Sequence, residues 1–350
     1  MFLCTMKENQ FVRAALLMVV VVVVLIGGWE LHLRSRGLVA DYDDGGPLWA
    51  NQRQRIYEAD DKTDIFIGSS RICYDLDPEE WKRWTGRNAI QLGLSGHCPL
   101  PFLRDLANDE RFHGKLVVDV MELLYWSPVP AYSAEAQTDV DYYHHRTPAQ
   151  WLSFHLGRPL ESHLVFLNRR FLALNAQLDG LPIPNRAGVH GDARFPIEFW
   201  STGYNRQVKM MPRFLWDTAL QHQVTGVWDG FLTVLSKAPA PPANFDPAAA
   251  VIAETKQLVD KIRARGGEVV FVRCPSSDRF LDLERIIAPR EKFWDPLIRV
   301  TGCKGYYFSD YPGLSKFKPV EWSHLSPSGA VHFTRELIKV LPDSFTQTPS

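Results

Sequence analysis

The sequence predicts an α/β protein, a three-layer arrangement in which a sheet of parallel strands carries helices on both faces. Three observations lead to this fold class. Short apolar runs alternate with helical segments from residue 64 onward, the same alternation returns after residue 247, and the runs end in small or polar residues. Strands of a parallel sheet are buried on both faces and read as short continuous apolar runs, and the helices between them make the crossovers.

The first half of the sheet is expected before residue 128. Its strands are residues 65–67, 89–92 and 116–120. A helix follows the first strand at residues 77–84, because Asp77 is a natural N-cap and Pro78 occupies the first helical position. The second strand is followed by a Gly-Leu-Ser-Gly segment and a helix at residues 99–108.

The alternation of strands and helices stops between residues 128 and 247. This segment is rich in aromatic residues, histidine and proline, with a helical pattern at residues 148–178, and it predicts a largely helical insertion or cap. Residues 141–146, Asp-Tyr-Tyr-His-His-Arg, either line a carbohydrate groove or form a loop without chemistry. We favour the loop, because adjacent histidines lack the spacing of metal ligands on a helix.

The second half of the sheet is expected after the insertion. The predicted elements are a helix at residues 248–265, a strand at 268–272, a strand at 305–308 and a closing helix at 327–340. Ser326 is a natural N-cap for the closing helix, and Pro327 is the preferred first residue.

An apolar segment near the N-terminus predicts one membrane helix. Residues 14–29 carry no charge and include six consecutive valines, so we place a transmembrane anchor at residues 14–33. A cleaved signal peptide is the alternative, but the Gly-Gly-Trp-Glu segment at residues 27–30 is a poor cleavage site. A buried helix of a soluble protein is disfavoured, because the valine block has no amphipathic face.

The charges around the anchor do not decide its orientation. Lys7 and Arg13 precede the span, and Arg34 and Arg36 follow it, so the positive charge is balanced. The predicted organisation is a tail at 1–13, the anchor at 14–33, a linker at 34–61, a first domain part at 62–127, the insertion or cap at 128–247 and a second domain part at 248–345.

The composition is that of a globular protein without a nucleic-acid partner. The 350 residues include 39 Lys and Arg against 40 Asp and Glu, a formal net charge of -1, and 45% are hydrophobic. Such a chain has no overall field that attracts nucleic acid. Besides Cys4, the cysteines are Cys73, Cys98, Cys274 and Cys303, without a CxxC pair. They form either two disulfides or four buried thiols.

Two segments carry residues suited to nucleophilic catalysis. The first predicted strand runs into Gly68-Ser69-Ser70-Arg71, and ligands bind at the carboxyl ends of parallel strands. A serine hydroxyl needs a nearby base to become a nucleophile. His324 precedes the last helix, and Glu321 lies three residues earlier, where a tight turn brings its carboxylate onto the imidazole.

With these motifs the chain resembles the SGNH/GDSL hydrolases. Residues 68–70, Gly96, and Glu321 with His324 resemble blocks I, II and V of that family. The resemblance implies a flavodoxin-like sheet in which Ser70 is the nucleophile, His324 the general base and acid, and Glu321 its orienting partner. It also implies that the Ser70 and Gly96 N–H groups form the oxyanion hole, and that no metal or organic cofactor takes part.

The chain departs from that family at three positions. Ser69 replaces the usual aspartate of block I, and Glu321 replaces the usual aspartate of block V. The block III asparagine is missing, because residues 119–126 contain none. Asn108 and Asp109 precede the third strand and are expected to end a helix. One lost oxyanion donor costs about 10²–10³ in rate, so the hole is completed differently or the activity is low.

The loss of block III, together with the N-terminal anchor and the Gly-Ser-Ser-Arg turn, is similar to a divergent, membrane-anchored branch that includes the teichoic acid D-alanyl transfer protein and polysaccharide O-acetylation proteins. This similarity implies a cytoplasmic-membrane protein whose catalytic domain faces the periplasm or exterior. We therefore predict an esterase or acyltransferase acting on ester-linked acyl groups of a cell-envelope polysaccharide or related polymer. The alternative is a catalytically weak polymer-binding scaffold that partners a membrane acyltransferase. Arg71 either contacts an anionic substrate or braces the turn, and we favour bracing.

Overall fold

The protein is an α/β structure with a parallel sheet, as the sequence predicts. A computed structural model describes residues 8–58, 63–127, 129–179, 181, 194–237 and 246–346. Within these residues five parallel strands pair in the order β2-β1-β3-β6-β7, and β4 pairs antiparallel with β5. The strands are β1 Thr63–Ile67, β2 Asn88–Gln91, β3 Lys115–Asp119, β4 Trp200–Thr202, β5 Val208–Met210, β6 Glu268–Arg273 and β7 Lys304–Tyr307.

Helices connect the strands and fill the insertion. Before the insertion they are α1 Glu8–Ser35, α2 Gly46–Arg55, α3 Ser70–Asp75, α4 Pro78–Thr85, α5 Leu100–Asn108 and α6 Glu122–Tyr125. The next are α7 Ala131–His145, α8 Pro148–Glu161, α9 Arg169–Leu172, α10 Leu174–Asp179, α11 Pro212–Trp216 and α12 Thr218–Ser236. The last are α13 Pro247–Ala264, α14 Asp278–Ile287, α15 Trp294–Thr301, α16 Pro312–Ser315, α17 Pro327–Val340 and α18 Asp343–Thr346.

The order of the strands creates a natural ligand site. From β1 the chain adds β2 on one side, and β3, β6 and β7 follow in sequence order on the other side. The direction of winding therefore reverses between β1 and β3, and ligands of open parallel sheets bind at such a point, outside the carboxyl ends of the strands. Helices α5, α13 and α15 pack together in one group, and α3, α4 and α17 pack in another.

The predicted helix caps are present. The Asp77 side chain accepts hydrogen bonds from the backbone N–H groups of Glu79 and Glu80 at the start of α4, both at 2.9 Å. The Ser326 hydroxyl accepts one from Gly329 N–H at 3.1 Å at the start of α17. Asn108 is the last residue of α5, so the Asn-Asp pair ends a helix as expected.

Part of the predicted linker is packed into the folded unit. Helix α2 buries Trp49, whose Nε1–H donates to the Leu92 carbonyl oxygen at 3.0 Å. Arg53 of the same helix donates to the Asp105 carboxylate at 2.6 Å, and both side chains are buried. The charged side chains of this segment can be buried because they are paired inside the protein. The sequence alone does not show this pairing, and the segment therefore resembles an exposed one.

The insertion is largely helical, but the structure corrects one prediction within it. Residues 141–145 lie in α7 instead of a loop, and Arg146 is the residue that ends the helix. Helix α7 packs against α2 and α5, and the His144 Nε2 contacts the Asp105 carboxylate at 2.6 Å. This tertiary packing outweighs the weak helix propensity of the two histidines and two tyrosines. Residue 128, residues 182–193 and most of the 238–247 segment lie outside the described residues.

The N-terminal helix is anchored to the insertion at one end. Gln10–Ser35 is long and apolar enough to span a membrane, and the side chains of its most apolar part are not buried in the protein. The Glu30 carboxylate accepts hydrogen bonds from the Val165 and Phe166 backbone N–H groups at 3.0 and 3.1 Å. Arg34 donates to Glu30 at 2.7 Å and to the His163 carbonyl oxygen at 2.5 Å. These bonds fix the end of α1 against the insertion.

The four cysteines of the folded part are thiols in this structure. Cys73, Cys98, Cys274 and Cys303 are buried and unpaired. Burial raises the pKa of each of these thiols, which keeps them protonated and unreactive at neutral pH. Cys4 lies outside the described residues.

Candidate active site

Ser70 stands at the carboxyl end of β1, at the point where the winding of the sheet reverses. It is the first residue of α3, and Gly68 and Ser69 make the turn from the strand. A Cβ atom on Gly68 would lie 2.6 Å from Asp119 Cβ and 2.8 Å from Ile72 Cγ2. Only glycine allows the turn to pack this closely on β3. The local sequence therefore holds Ser70 at the carboxyl end of the strand.

Glu321 and His324 are brought together by a tight loop before α17. The Val320 N–H donates to the His324 carbonyl oxygen at 2.8 Å, and Trp322 between them has a φ of 76°. Positive φ is costly for a bulky residue and is found where the surroundings enforce a particular geometry. Here the loop holds Glu321 Oε1 2.5 Å from His324 Nδ1.

The hydrogen bond to Glu321 determines which nitrogen of His324 is available as a base. A carboxylate accepts, so Nδ1 carries the proton and Nε2 is left with its lone pair when the ring is neutral. His324 is buried, and its Nε2 has no hydrogen-bond partner among the described residues. An unpaired buried nitrogen is unfavourable unless a ligand or a nearby hydroxyl completes it. The arrangement is suited to accepting a proton.

Further contacts orient the imidazole. The ring stacks on Tyr74, with centroids 4.2 Å apart and planes 24° apart. The Trp228 indole N–H of α12 donates to the second carboxylate oxygen of Glu321. Glu321 is fully buried, and this bond satisfies the oxygen that His324 leaves free. The sequence analysis did not identify Trp228, which lies 93 residues before Glu321 and contacts it only through the fold.

The loop that carries His324 is joined to the helix that carries Ser70. The Leu325 backbone N–H donates to the Asp75 carboxylate at 2.9 Å, and Arg71 Nε lies 3.4 Å from the Ser323 hydroxyl. Because Arg71 and Asp75 belong to the same short helix as Ser70, these bonds fix the loop relative to the serine.

Ser70, Gly96 and His324 line one cavity of about 300 Å³. Gly96 has a φ of 79° in the turn after β2, where a side chain would strain the backbone, which explains the glycine at this position. Glu321 does not line the cavity but is hydrogen-bonded to Nδ1 of the His324 imidazole. The structure therefore brings all four sequence-predicted residues to one place, although they come from distant parts of the chain.

Arg71 lies beneath the site and braces it. The Arg71 side chain is fully buried, and its Nη2 donates to the Glu284 carboxylate at 2.5 Å. Arg273 pairs with the same Glu284 and donates to Glu122 at 2.8 Å. This network joins α3, α6, β6 and α14 under the serine turn, and a buried guanidinium offers no surface to a substrate. The bracing role that we favoured agrees with this geometry.

The segment after β3 contains no asparagine, and its side chains divide between the cavity and the buried network. Met121 and Leu124 line the cavity, whereas Glu122 turns away into the buried network. Asp119 at the end of β3 is buried under the serine turn, and burial raises the pKa of its carboxyl to about 6. The side chains of Met121 and Leu124 make this wall of the site apolar and provide no hydrogen-bond donor for an oxyanion.

A larger cavity of about 710 Å³ lies elsewhere, between α5 and α7. Its walls carry charged residues such as Arg104, Asp109 and His144. Ser70 and His324 are absent from this lining, so the larger space is separate from the predicted residues. Within the described part of the chain, no group of three or more His, Cys, Asp or Glu side chains is arranged to hold a metal ion.

No model of a known protein family matches the chain, and no curated protein is significantly similar to it in sequence.

Proposed function

We propose that the protein is a membrane-anchored serine esterase or acyltransferase of the SGNH type. The observation that carries this proposal is the buried Glu321–His324 pair, whose histidine lines the same cavity as Ser70. A carboxylate, an imidazole and a serine hydroxyl meeting at one cavity are the parts of a nucleophilic acyl-transfer site.

The proposed reaction has two steps. In the first, the Ser70 Oγ attacks the acyl carbonyl of the ester while His324 Nε2 takes the hydroxyl proton, and Glu321 stabilises the resulting imidazolium. The Ser70 and Gly96 N–H groups receive the negative charge on the carbonyl oxygen. His324 then returns the proton to the leaving alcohol, and the acyl group remains on Ser70.

In the second step, water or a hydroxyl of the acceptor attacks the acyl-enzyme. His324 removes the proton of the attacking hydroxyl and delivers it to Ser70 as the acyl bond to the serine breaks. Water yields hydrolysis, and a sugar hydroxyl yields transfer. Which of the two occurs depends on how well the site excludes water from the acyl-enzyme.

The topology supports the SGNH resemblance. The strand order corresponds to 2-1-3-4-5 when the parallel strands are numbered alone, which is the flavodoxin-like order, and two groups of helices pack around it as a three-layer fold requires. Ser70 follows the first strand of this order, at the switch point. We therefore assign the fold as flavodoxin-like and the site as the block I serine with its block V partner.

The proposed location is the outer side of the cytoplasmic membrane, with α1 as a single-pass anchor. The outer side follows from the resemblance alone, and the bonds of Glu30 and Arg34 to the insertion hold the domain close to the end of the apolar span. A cell-envelope polymer is then within reach of the site. An alkaline phosphatase fusion at the C-terminus should be active in cells, and an inactive but stable fusion would place the domain in the cytoplasm.

Hydrolysis of p-nitrophenyl esters by the full-length protein in detergent tests the proposed function. Replacing Ser70 with alanine should lower the turnover by at least about 10³-fold, the loss typical of a missing nucleophile. Ser328→Ala is the matched control, since this exposed serine lies near His324 but outside the cavity. Equal turnover in wild type and the Ser70 variant would contradict the proposal.

A polymer-binding scaffold that partners a membrane acyltransferase is the second candidate. The apolar Met121 and Leu124 side chains favour it, because they replace a donor that would stabilise the oxyanion. In this case the Ser70→Ala protein supports normal acylation of the envelope polymer in cells, whereas deletion of the whole protein abolishes it. If the protein is an enzyme, acylation of the polymer is lost both in the Ser70→Ala strain and in the deletion strain.

A further inference from the structure

The cavity beside Ser70 and His324 has mainly hydrocarbon walls. Its apolar lining consists of Tyr74, Met121, Leu124, Tyr132, Phe195, Phe199, Trp200, Trp228, Phe231 and Phe280. The other lining residues are Ser70, Ser95, Gly96, Ser323 and His324, so none carries a carboxylate, an ammonium or a guanidinium group. The polar members include the proposed nucleophile, its base and an oxyanion donor.

We infer that this cavity binds an unbranched hydrocarbon acyl chain of medium length, about six to ten carbons, as the acyl part of the substrate. The inference rests on the proposed function and gives it a substrate class. An acyl chain attached through its carbonyl at Ser70 would extend along the apolar walls, while the alcohol part of the ester, or the acceptor, stays outside.

The length of the acyl chain is inferred from the volume of the cavity. A water molecule occupies about 30 Å³ in the liquid, and a methylene group is of similar size, so about 300 Å³ accommodates about ten non-hydrogen atoms. An acetyl group has only three, and most of the apolar space would stay empty beside it. Unfilled space lined by hydrocarbon forgoes packing energy, and a longer chain recovers that energy.

The chemistry of the walls argues against a sugar as the occupant. A sugar ring would have to exchange its water for walls that offer few hydrogen-bond partners, and unpaired polar groups are costly to bury. Hydrocarbon gains free energy on the same transfer. A carbohydrate acceptor therefore belongs at the mouth of the cavity, and only the acyl chain enters.

The insertion supplies much of this wall and so determines the chain that fits. Phe195 contacts both Phe199 and Trp228, with ring centroids 5.4 Å away for Phe199 and 4.8 Å away for Trp228. Phe231 lies on the same helix as Trp228 and faces the same cavity. Because Trp228 also bonds to Glu321, the acyl pocket and the proposed catalytic pair share one residue.

A series of p-nitrophenyl esters from acetyl to palmitoyl tests the inference on the full-length protein in detergent. Burial of one methylene changes kcat/KM by about four-fold, and hexanoyl has four methylenes more than acetyl, so the increase from acetyl to hexanoyl should be about 250-fold. The value should reach its maximum at six to ten carbons and fall for longer chains. A maximum at acetyl, in a protein that depends on Ser70, would overturn the acyl-pocket inference and leave the proposed function intact.

Phe231→Ala should move the maximum to chains two to four carbons longer, because it removes one wall. Val234→Ala is the matched control: it lies on the same helix with 74% of its surface exposed, and the maximum should not move. An unchanged maximum in a folded Phe231→Ala protein would contradict the assignment of this wall.

A binding measurement separates failure of the pocket from failure of catalysis. In the Ser70→Ala protein, octanoate should quench the tryptophan fluorescence of the cavity with at least ten-fold higher affinity than butyrate. Tight octanoate binding by the Ser70→Ala protein, when the wild-type protein shows no esterase activity, would refute the enzyme and support the pocket. Equal affinities for the two acids would refute the pocket whether or not the protein is an esterase.

Discussion

The hydrogen bond from Trp228 to Glu321 gives a sharp test of the proposed catalytic group. Trp228→Phe removes the indole N–H but keeps an aromatic ring against Phe280 and Phe195, which pack 5.4 and 4.8 Å away. Glu321 is fully buried, so its Oε2 has no access to water that could replace the lost donor. The variant therefore isolates one polar contact with little change in packing.

The size of the effect follows from the charge of the acceptor. A hydrogen bond to a charged group contributes about 1.5–3 kcal/mol, which corresponds to about 10- to 100-fold in rate. The Glu321 carboxylate stabilises the imidazolium that forms as Ser70 attacks, so we expect this loss in kcat, whereas the smaller ring in the wall of the cavity affects KM. Thermal unfolding should also show a lower stability, because a buried carboxylate oxygen is left unpaired.

Steady-state hydrolysis of the preferred ester measures this prediction. Phe195→Leu is the control, since it disturbs the packing against Trp228 without removing a polar group, and its effect should fall on KM. Trp228 acts here as a positioning residue, through Glu321 and His324. A Trp228→Phe protein that folds and keeps kcat within two-fold of wild type would refute the reasoning.

Two other predictions concern the buried charges under the site. Arg71→Met leaves Glu284 with one partner fewer in a dry environment, and breaking a buried ion pair in this way costs about 3–5 kcal/mol; a melting temperature within about 2 °C of wild type would contradict the bracing role. Burial raises the pKa of the Asp119 carboxyl from 3.8 to about 6. The folded state thus holds this proton more tightly than the unfolded chain, and wild type loses up to about 3 kcal/mol of stability as pH rises from 4 to 7. Asp119→Asn cannot titrate, so the stability difference between variant and wild type should shift in favour of the variant over this range; a pH-independent difference in urea unfolding would contradict it.

The elements of the sheet were predictable because local signals identify them. Apolar runs bounded by glycine and polar residues gave the strands, and Asp77 and Ser326 gave the starts of two helices. The Glu321–His324 contact was also predictable, because three residues of chain separate the partners. Such features depend on short-range geometry, which the sequence determines directly.

The residues that the sequence analysis missed depend on distant contacts. Trp228 looks like any core tryptophan until the insertion folds over Glu321. Likewise, Glu284 is 213 residues from Arg71 in sequence, so that only the folded chain identifies it as the partner of Arg71. The polar sequence of α2 led to its prediction as part of the linker, because its partner Asp105 lies on another helix. The high aromatic content of the insertion was the available signal for the apolar cavity, but it did not identify which rings face Ser70.

The location of a covalent serine adduct tests the central claim most directly. The full-length protein in detergent is treated with a fluorophosphonate probe, which reacts with activated serines, and the modified peptide is identified by mass spectrometry. The account predicts an adduct on Ser70 in wild type and Ser328→Ala, none in Ser70→Ala, and strongly reduced labelling in His324→Ala. Absence of any adduct in the folded wild-type protein, or equal labelling of the Ser70→Ala variant, would contradict it.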